Sequence, residues 1–104
     1  MAVTSKALVR AAAATSSTTL YTVPNTSTTT VVTNIVIANN SASTSTAVIS
    51  IDSVIIVPTV SIAGNSVFSF DLKQVIPANG TPKTISGYAS STSVTFHISG
   101  VEIV

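Results

Sequence analysis

Apolar and polar side chains alternate along most of this chain with the period of two that is typical of β-strands with one buried face. The pattern is clearest near the end, where single polar residues separate Val94, Phe96 and Ile98. Alternation or a short apolar run marks eight segments as strands: Thr18–Val23, Thr28–Ala38, Thr46–Asp52, Val54–Val57, Thr59–Ile62, Val67–Leu72, Thr84–Ala89 and Ser93–Val104. No segment has the spacing of a convincing amphipathic helix. The chain is therefore predicted to be all-β, an antiparallel β-sandwich or jelly roll of about eight short strands.

The alternation changes phase at Gly100. Beyond this glycine Val101 and Ile103 are apolar, whereas Glu102 falls on the side that the core residues occupy. One extra residue at a glycine, forming a β-bulge, would restore the phase. We therefore expect a bulge at Gly100 that keeps Val101 and Ile103 in the core and turns Glu102 outward.

Residues 1–16 have weak periodicity and include the run Ala11–Ala14. Alanine favours helix, but no capping residue or apolar stripe accompanies the run. We expect an extended N-terminal arm, with a short helix as the alternative, before a β-sandwich domain of residues 17–104. Lys6 and Arg10 lie on this arm, either as solvated charges or as contacts to a neighbouring protein. Arg10 also interrupts the apolar run that a signal peptide needs, so synthesis in the cytoplasm is expected.

The composition is unusual for a soluble domain. Of the 104 residues only 7% are charged, with a net charge of +1, and 45% are hydrophobic. Serine and threonine together number 34. The many apolar residues argue against a disordered stalk, and the near-neutral charge provides no basic surface for nucleic acid or membranes. A surface with so few charges favours association, so we expect the protein to work within a regular assembly.

Candidate catalytic chemistry is sparse. His97 is the one histidine, and its acidic partner in a triad would have to be Asp52, Asp71 or Glu102. His97 is opposite in phase to Phe96, so it is expected to face solvent or a partner protein. The sequence contains no cysteine and no Asp or His cluster with the spacing of a metal site. These observations predict a non-enzymatic protein without a cofactor or metal.

Four segments together resemble a known family. They are LYTVP (Leu20–Pro24), TTTVVTNIVIANNSAS (residues 28–43), FDLKQVIPANGTPKTISGYAS (residues 70–90) and VTFHISGVEIV (residues 94–104). In this order they resemble the small β-sandwich virion proteins of tailed bacteriophages, and the similarity spans residues 18–104. The family often has an Ala-Gly-Asp turn before the penultimate strand, where this chain has a longer and differently charged connection.

The resemblance implies a structural component of a virus particle. The first expectation is a capsid decoration (cement) protein on the capsid exterior that forms a homotrimer and bridges major-capsid subunits. Lys6 and Arg10 are expected to contact the capsid, whereas Val32, Val36 and His97 are expected to lie between copies.

Two alternatives remain at this point. The chain could instead be a neck, tail, baseplate or fibre-associated structural module of the same kind of particle. From a different class, it could be a glycan-binding adhesion module in which Tyr21 and Tyr88 stack on sugar rings. No nucleic acid, membrane or cofactor is expected as a partner.

Overall fold

Two four-stranded antiparallel sheets pack face to face in the computed structural model, which describes residues 2–24, 27–78 and 83–104. The strands are β1 (Val3–Ala12), β2 (Thr18–Thr22), β3 (Thr29–Asn39), β4 (Ser45–Ile51), β5 (Val54–Ile62), β6 (Ser66–Ile76), β7 (Thr84–Ala89) and β8 (Val94–Ile103). One sheet has the order β1-β8-β3-β6 and the other β2-β7-β4-β5. The predicted all-β sandwich is confirmed. Within the described ranges no helix is long and apolar enough to cross a membrane.

The predicted number of strands is right, but through two differences that compensate. The segments Val54–Val57 and Thr59–Ile62 are a single strand, β5, which continues through Pro58. The pairing of β5 with β4 shifts register beside this proline, and β5 is the last strand of its sheet. An edge position with a bulge is where a sheet tolerates proline. The strand that was not predicted from the sequence is β1, in the segment that was expected to be an arm.

The segment expected to be an N-terminal arm is extended, but it is a strand of the sandwich rather than a separate arm. β1 pairs antiparallel with β8 from Val3 to Ala12. It buries Leu8 and Val9 between the sheets, and the following Ala13 is also buried. The alternative of a short helix over Ala11–Ala14 is wrong, because Ala11 and Ala12 belong to β1 and pair with β8. The alternation along this edge strand is too weak to predict it from the sequence.

The bulge expected at Gly100 lies instead in the two strands beside it. β8 keeps a strict alternation of buried and half-buried residues along its whole length. The extra residues are Leu8 in β1 and Thr33 in β3. The shift of β1 falls between Ile98 and Ser99 of β8, and the shift of β3 falls between Ser99 and Gly100. A Cβ atom at Gly100 would clash with the Val31 carbonyl oxygen and lie 2.8 Å from Leu8 Cδ1. The glycine is therefore required by the close approach of both neighbouring strands.

The unbroken alternation of β8 reverses the expected orientation of its last residues. Glu102 faces the interior and is only 9% exposed, whereas Val101 and Ile103 are half-buried on the outer face. The prediction for these three residues is wrong because it placed the extra residue on the wrong strand. The core between the sheets contains large side chains that are less than 2% exposed: Phe96, Ile35, Ile37, Ile49, Ile76, Ile85 and Ile98. The connection before the penultimate strand, where the family often has an Ala-Gly-Asp turn, includes residues 79–82, which lie outside the described residues.

Candidate functional site

Val32 is the one residue of the predicted interface that the fold removes from the surface. Its side chain is 0% exposed and packs between the two sheets. The extra residue Thr33 changes the phase of β3, so that Val32 shares the inner face with Ile35 and Ile37. Val32 therefore cannot contact another copy of the folded chain, and the expectation for this residue is corrected.

Arg10, His97 and Val36 form one row across the outer face of the first sheet. Arg10 pairs with His97 in the β1–β8 register, and His97 pairs with Val36 in the β8–β3 register. Ser69 of β6 completes the row. Directly opposed residues in antiparallel strands have neighbouring side chains on the same face. The structure thus brings together three of the predicted interface residues, with Arg10 exposed and the other two half-buried.

The surroundings of His97 do not resemble a catalytic triad. Glu102 projects from the opposite face of the same strand, and Asp71 lies on β6, two strand spacings or roughly 10 Å away. Asp52 follows β4 in the other sheet, where its carboxylate lies 3.3 Å from the Lys83 ammonium. Across the described residues, no group of three or more His, Cys, Asp or Glu side chains is placed to hold a metal ion. His97 itself is half-buried on the outer face of the first sheet, opposite Val36.

A buried polar cluster links the two sheets at the side of β1 and β2. The Tyr21 hydroxyl of β2 donates a short hydrogen bond to the Glu102 carboxylate of β8 and lies 3.0 Å from the Thr30 hydroxyl. Lys6 of β1 places its ammonium 3.3 and 3.4 Å from the two carboxylate oxygens of Glu102. Every buried polar side-chain atom among the described residues has a partner, so the cluster is satisfied as hydrogen-bonding physics requires.

Burial, and to a smaller extent the hydrogen bond to the Glu102 carboxylate, raise the pKa of Tyr21 to about 12. The phenol therefore stays protonated near neutral pH and acts as a hydrogen-bond donor that holds β2 against β8. Because Tyr21 is buried, it cannot stack on a sugar, and of the two tyrosines only Tyr88 is exposed, at 38%. The two-tyrosine platform of the glycan-binding alternative is not formed.

The opposite side of the sandwich is an open apolar seam, which we define as the side formed by the edge strands β5 and β6. One open cleft of about 320 Å³ lies between these strands, lined by Ile56–Val60, Phe68 and Phe70. A second cleft of about 330 Å³ lies between residues 51–56 and Gln74 and Val75. Of the eight exposed large apolar side chains in the described ranges, five belong to the seam: Val54, Ile55, Val67, Phe68 and Val75.

Sequence reasoning did not find this seam. Of the large apolar side chains along β6, Phe70 and Leu72 pack against the core, whereas Phe68 is exposed. The pattern along a strand does not say whether the strand lies at the centre or the edge of a sheet. The one available signal was Pro58, which is compatible with an edge strand.

Comparison with known proteins shows a likeness of fold alone. No protein-family model matches the chain, and no curated protein sequence matches it. A structure of infectious bursal disease virus, Gx strain, is 12% identical with a TM-score of 0.51, covering 97% of this chain and 32% of that chain. A structure of the Gt strain of that virus is 14% identical with a TM-score of 0.42, covering 97% and 30%.

A third solved structure has a weaker likeness. It is an exo-β-1,3-galactanase from Phanerochaete chrysosporium with galactose, 16% identical with a TM-score of 0.35, covering 98% of this chain and 29% of that chain. The chain thus spans about a third of the length of the proteins that it matches. With TM-scores below 0.5, the second and third structures carry no argument about this protein.

Proposed function

We propose that this chain is a non-enzymatic structural protein of a virus particle, and specifically a capsid decoration protein that bridges neighbouring major-capsid subunits on the capsid exterior. The observation that carries the proposal is the low charge of the chain, in which only 7% of the residues are charged and serine and threonine are abundant. A surface with so few charges favours association with other proteins. The fold shared with a virus structure and the resemblance to phage virion proteins support the same role.

The sandwich would act as a rigid clamp. A stable protein interface buries roughly 1,600 Å² in total, which a domain of this size provides by using a whole sheet face or side. The outer face of the first sheet, with Arg10, Val36 and His97 in one row, is the proposed contact to the capsid, which reassigns Val36 and His97 from the contact between copies that was expected from the sequence. Bridging two subunits lowers the free energy of the closed shell relative to the separated subunits, because one of the two contacts is lost when the subunits part.

Of the two cations expected to contact the capsid, Arg10 is the one that has no ion pair among the residues that the structure describes. Lys6, the other cation expected there, is already within 3.3 Å of the Glu102 carboxylate. Deleting the N-terminal residues is not a clean test, because β1 pairs with β8 and buries Leu8 and Val9. A point substitution at the exposed Arg10 leaves these contacts in place.

The test uses virus particles that lack the protein, to which the purified chain is added. The wild-type chain is expected to co-sediment with the particles and to raise the temperature at which they release their genome. The substitution Arg10→Ser is expected to weaken binding at least tenfold, since it removes a charged contact. The matched control is Thr19→Glu, which changes the net charge equally on the other sheet. A wild-type chain that neither binds nor stabilises the particles would overturn the decoration role.

A further inference from the structure

Four of the seven charged side chains of this chain form ion pairs, and two of the other three lie on one strand. Lys6 pairs with Glu102 and Lys83 with Asp52, each at 3.3 Å. Among the described residues, the charged side chains without an ion pair are Arg10, Asp71 and Lys73. Asp71 and Lys73 lie two residues apart on β6 and both are exposed. One strand thus carries an unpaired acid and an unpaired base.

β6 is also an edge strand. It ends the sheet β1-β8-β3-β6, so one of its sides has no neighbouring strand. A free edge of this kind offers backbone hydrogen-bonding groups to another strand. The exposed side chains beside it on the seam are apolar, including Val67 and Val75 on β6 and Val54 and Ile55 on β5.

We propose that β6 pairs with β6 of a second copy of this chain, antiparallel, about a twofold axis at Leu72. In such a contact each residue faces the residue that is equally far from the axis on the other copy. Asp71 of one copy therefore faces Lys73 of the other, and the reverse pair forms at the same time. The two residues that are unpaired in the single chain become two ion pairs.

The local geometry of β6 is compatible with this pairing. Asn34 Nδ2 donates a 2.9 Å hydrogen bond to Asp71 Oδ1, which orients the carboxylate and leaves its second oxygen for an ammonium group. The register of β6 against β3 shifts at Leu72 and Lys73. The irregularity therefore lies within one residue of the proposed axis in both copies.

The available area matches what a stable dimer needs. The molecule measures 45 × 22 × 18 Å, so the side that carries the seam projects an area on the order of 800 Å². Standard interfaces bury about 800 Å² on each partner. A second copy also supplies a surface as poor in charge as the seam itself, apart from the Asp71 and Lys73 side chains that it neutralises. This inference stands apart from the virion role, because a dimer outside any particle would satisfy it.

The test is a charge swap followed by native mass spectrometry and sedimentation velocity over a range of protein concentrations. The wild-type chain is expected to form a dimer or an even-numbered assembly. Asp71→Lys and Lys73→Asp each place like charges opposite one another, so each should raise the dissociation constant at least tenfold. The double variant Asp71→Lys/Lys73→Asp restores opposite charges and should restore the dimer.

Two controls separate this result from misfolding and from a general charge effect. Circular dichroism should show the same β-structure in all variants, since both side chains are exposed. Ser16→Lys changes the charge at the β1–β2 connection, on the opposite side of the sandwich, and should leave the dimer intact. A monomer at all concentrations, a trimer, a dimer insensitive to the single substitutions, or a double variant that stays dissociated would each overturn the proposal.

Discussion

Glu102 shows how single residues of this chain depend on partners that are remote in sequence. Its carboxylate is buried because Tyr21, 81 residues earlier, and Lys6, 96 residues earlier, meet it in space. The alternation of β8 places Glu102 on the inner face, and the sequence alone offers no reason to leave a carboxylate there. A buried charge is tolerated when it is paired and hydrogen-bonded. The alternation did place Glu102 on the inner face together with Phe96 and Ile98, and the bulge assumed at Gly100 turned it outward because the sequence does not show the partners Tyr21 and Lys6.

Replacing Glu102 should reduce stability more than replacing its exposed partner. Glu102→Gln replaces charge-assisted hydrogen bonds with neutral ones in a buried place, which should lower the free energy of unfolding by about 1–3 kcal/mol. Lys6→Met removes a partner whose side chain is 46% exposed and leaves the Tyr21 hydrogen bond to Glu102 in place, so its effect should be smaller than that of Glu102→Gln. Guanidinium denaturation at one fixed protein concentration measures both. A larger loss in Lys6→Met would contradict the buried role of the carboxylate.

Tyr21 should make the protein less stable at high pH. Its pKa is raised to about 12 in the folded chain, against about 10 in the unfolded chain. Above pH 10 the unfolded chain loses this proton while the folded chain keeps it, so stability falls as pH rises from about 10 to 12. Denaturation curves between pH 9 and pH 11.5 should show a steeper loss for wild type than for Tyr21→Phe. Equal slopes would mean that the phenol titrates normally in the folded chain.

At the scale of elements, Gly100 of β8 allows the two neighbouring strands, β1 and β3, to approach closely. The alternation change at Gly100 did predict a bulge in this region, but a strand pattern cannot show which strand of a pair contains the extra residue. The bulges in β1 and β3 decide which side chains face outward, and so they explain why Val32 is in the core and Val36 is not. The strand segments themselves were predictable, because alternation is a property of each segment alone.

A methyl group at Gly100 should therefore be poorly tolerated. Gly100→Ala brings Cβ against the backbone of β3 and against Leu8, and overpacking of this kind lowers the free energy of unfolding by roughly 1–3 kcal/mol. The matched control is Gly87→Ala on β7, where the nearest atom is the Val48 oxygen at 2.9 Å and the strain should be smaller. Thermal and denaturant unfolding of both variants would measure the loss in the free energy of unfolding. A greater loss in Gly87→Ala than in Gly100→Ala would be evidence against the close approach at Gly100.

At the scale of the whole molecule, the two sides of the sandwich differ. The side of β1 and β2 is linked across the sheets by Tyr21 and Glu102, whereas the side of β5 and β6 is open and apolar. Composition alone predicted association, because charges are few, but it could not place the contact. None of the interface residues predicted from the sequence lies on the seam; Arg10, Val36 and His97, for example, lie on the outer face of the first sheet. The seam becomes visible only once the strand order shows that β5 and β6 are edge strands.

The measurement that tests the proposed function most directly is the copy number of this chain in purified particles of the virus that encodes it. Quantitative mass spectrometry would compare its peptides with those of the major capsid protein. A decoration protein should be present in a fixed ratio of the same order as the major capsid protein. A copy number many times lower would instead place the chain in a neck, tail or baseplate, and its absence from purified particles would contradict a structural role in the virion.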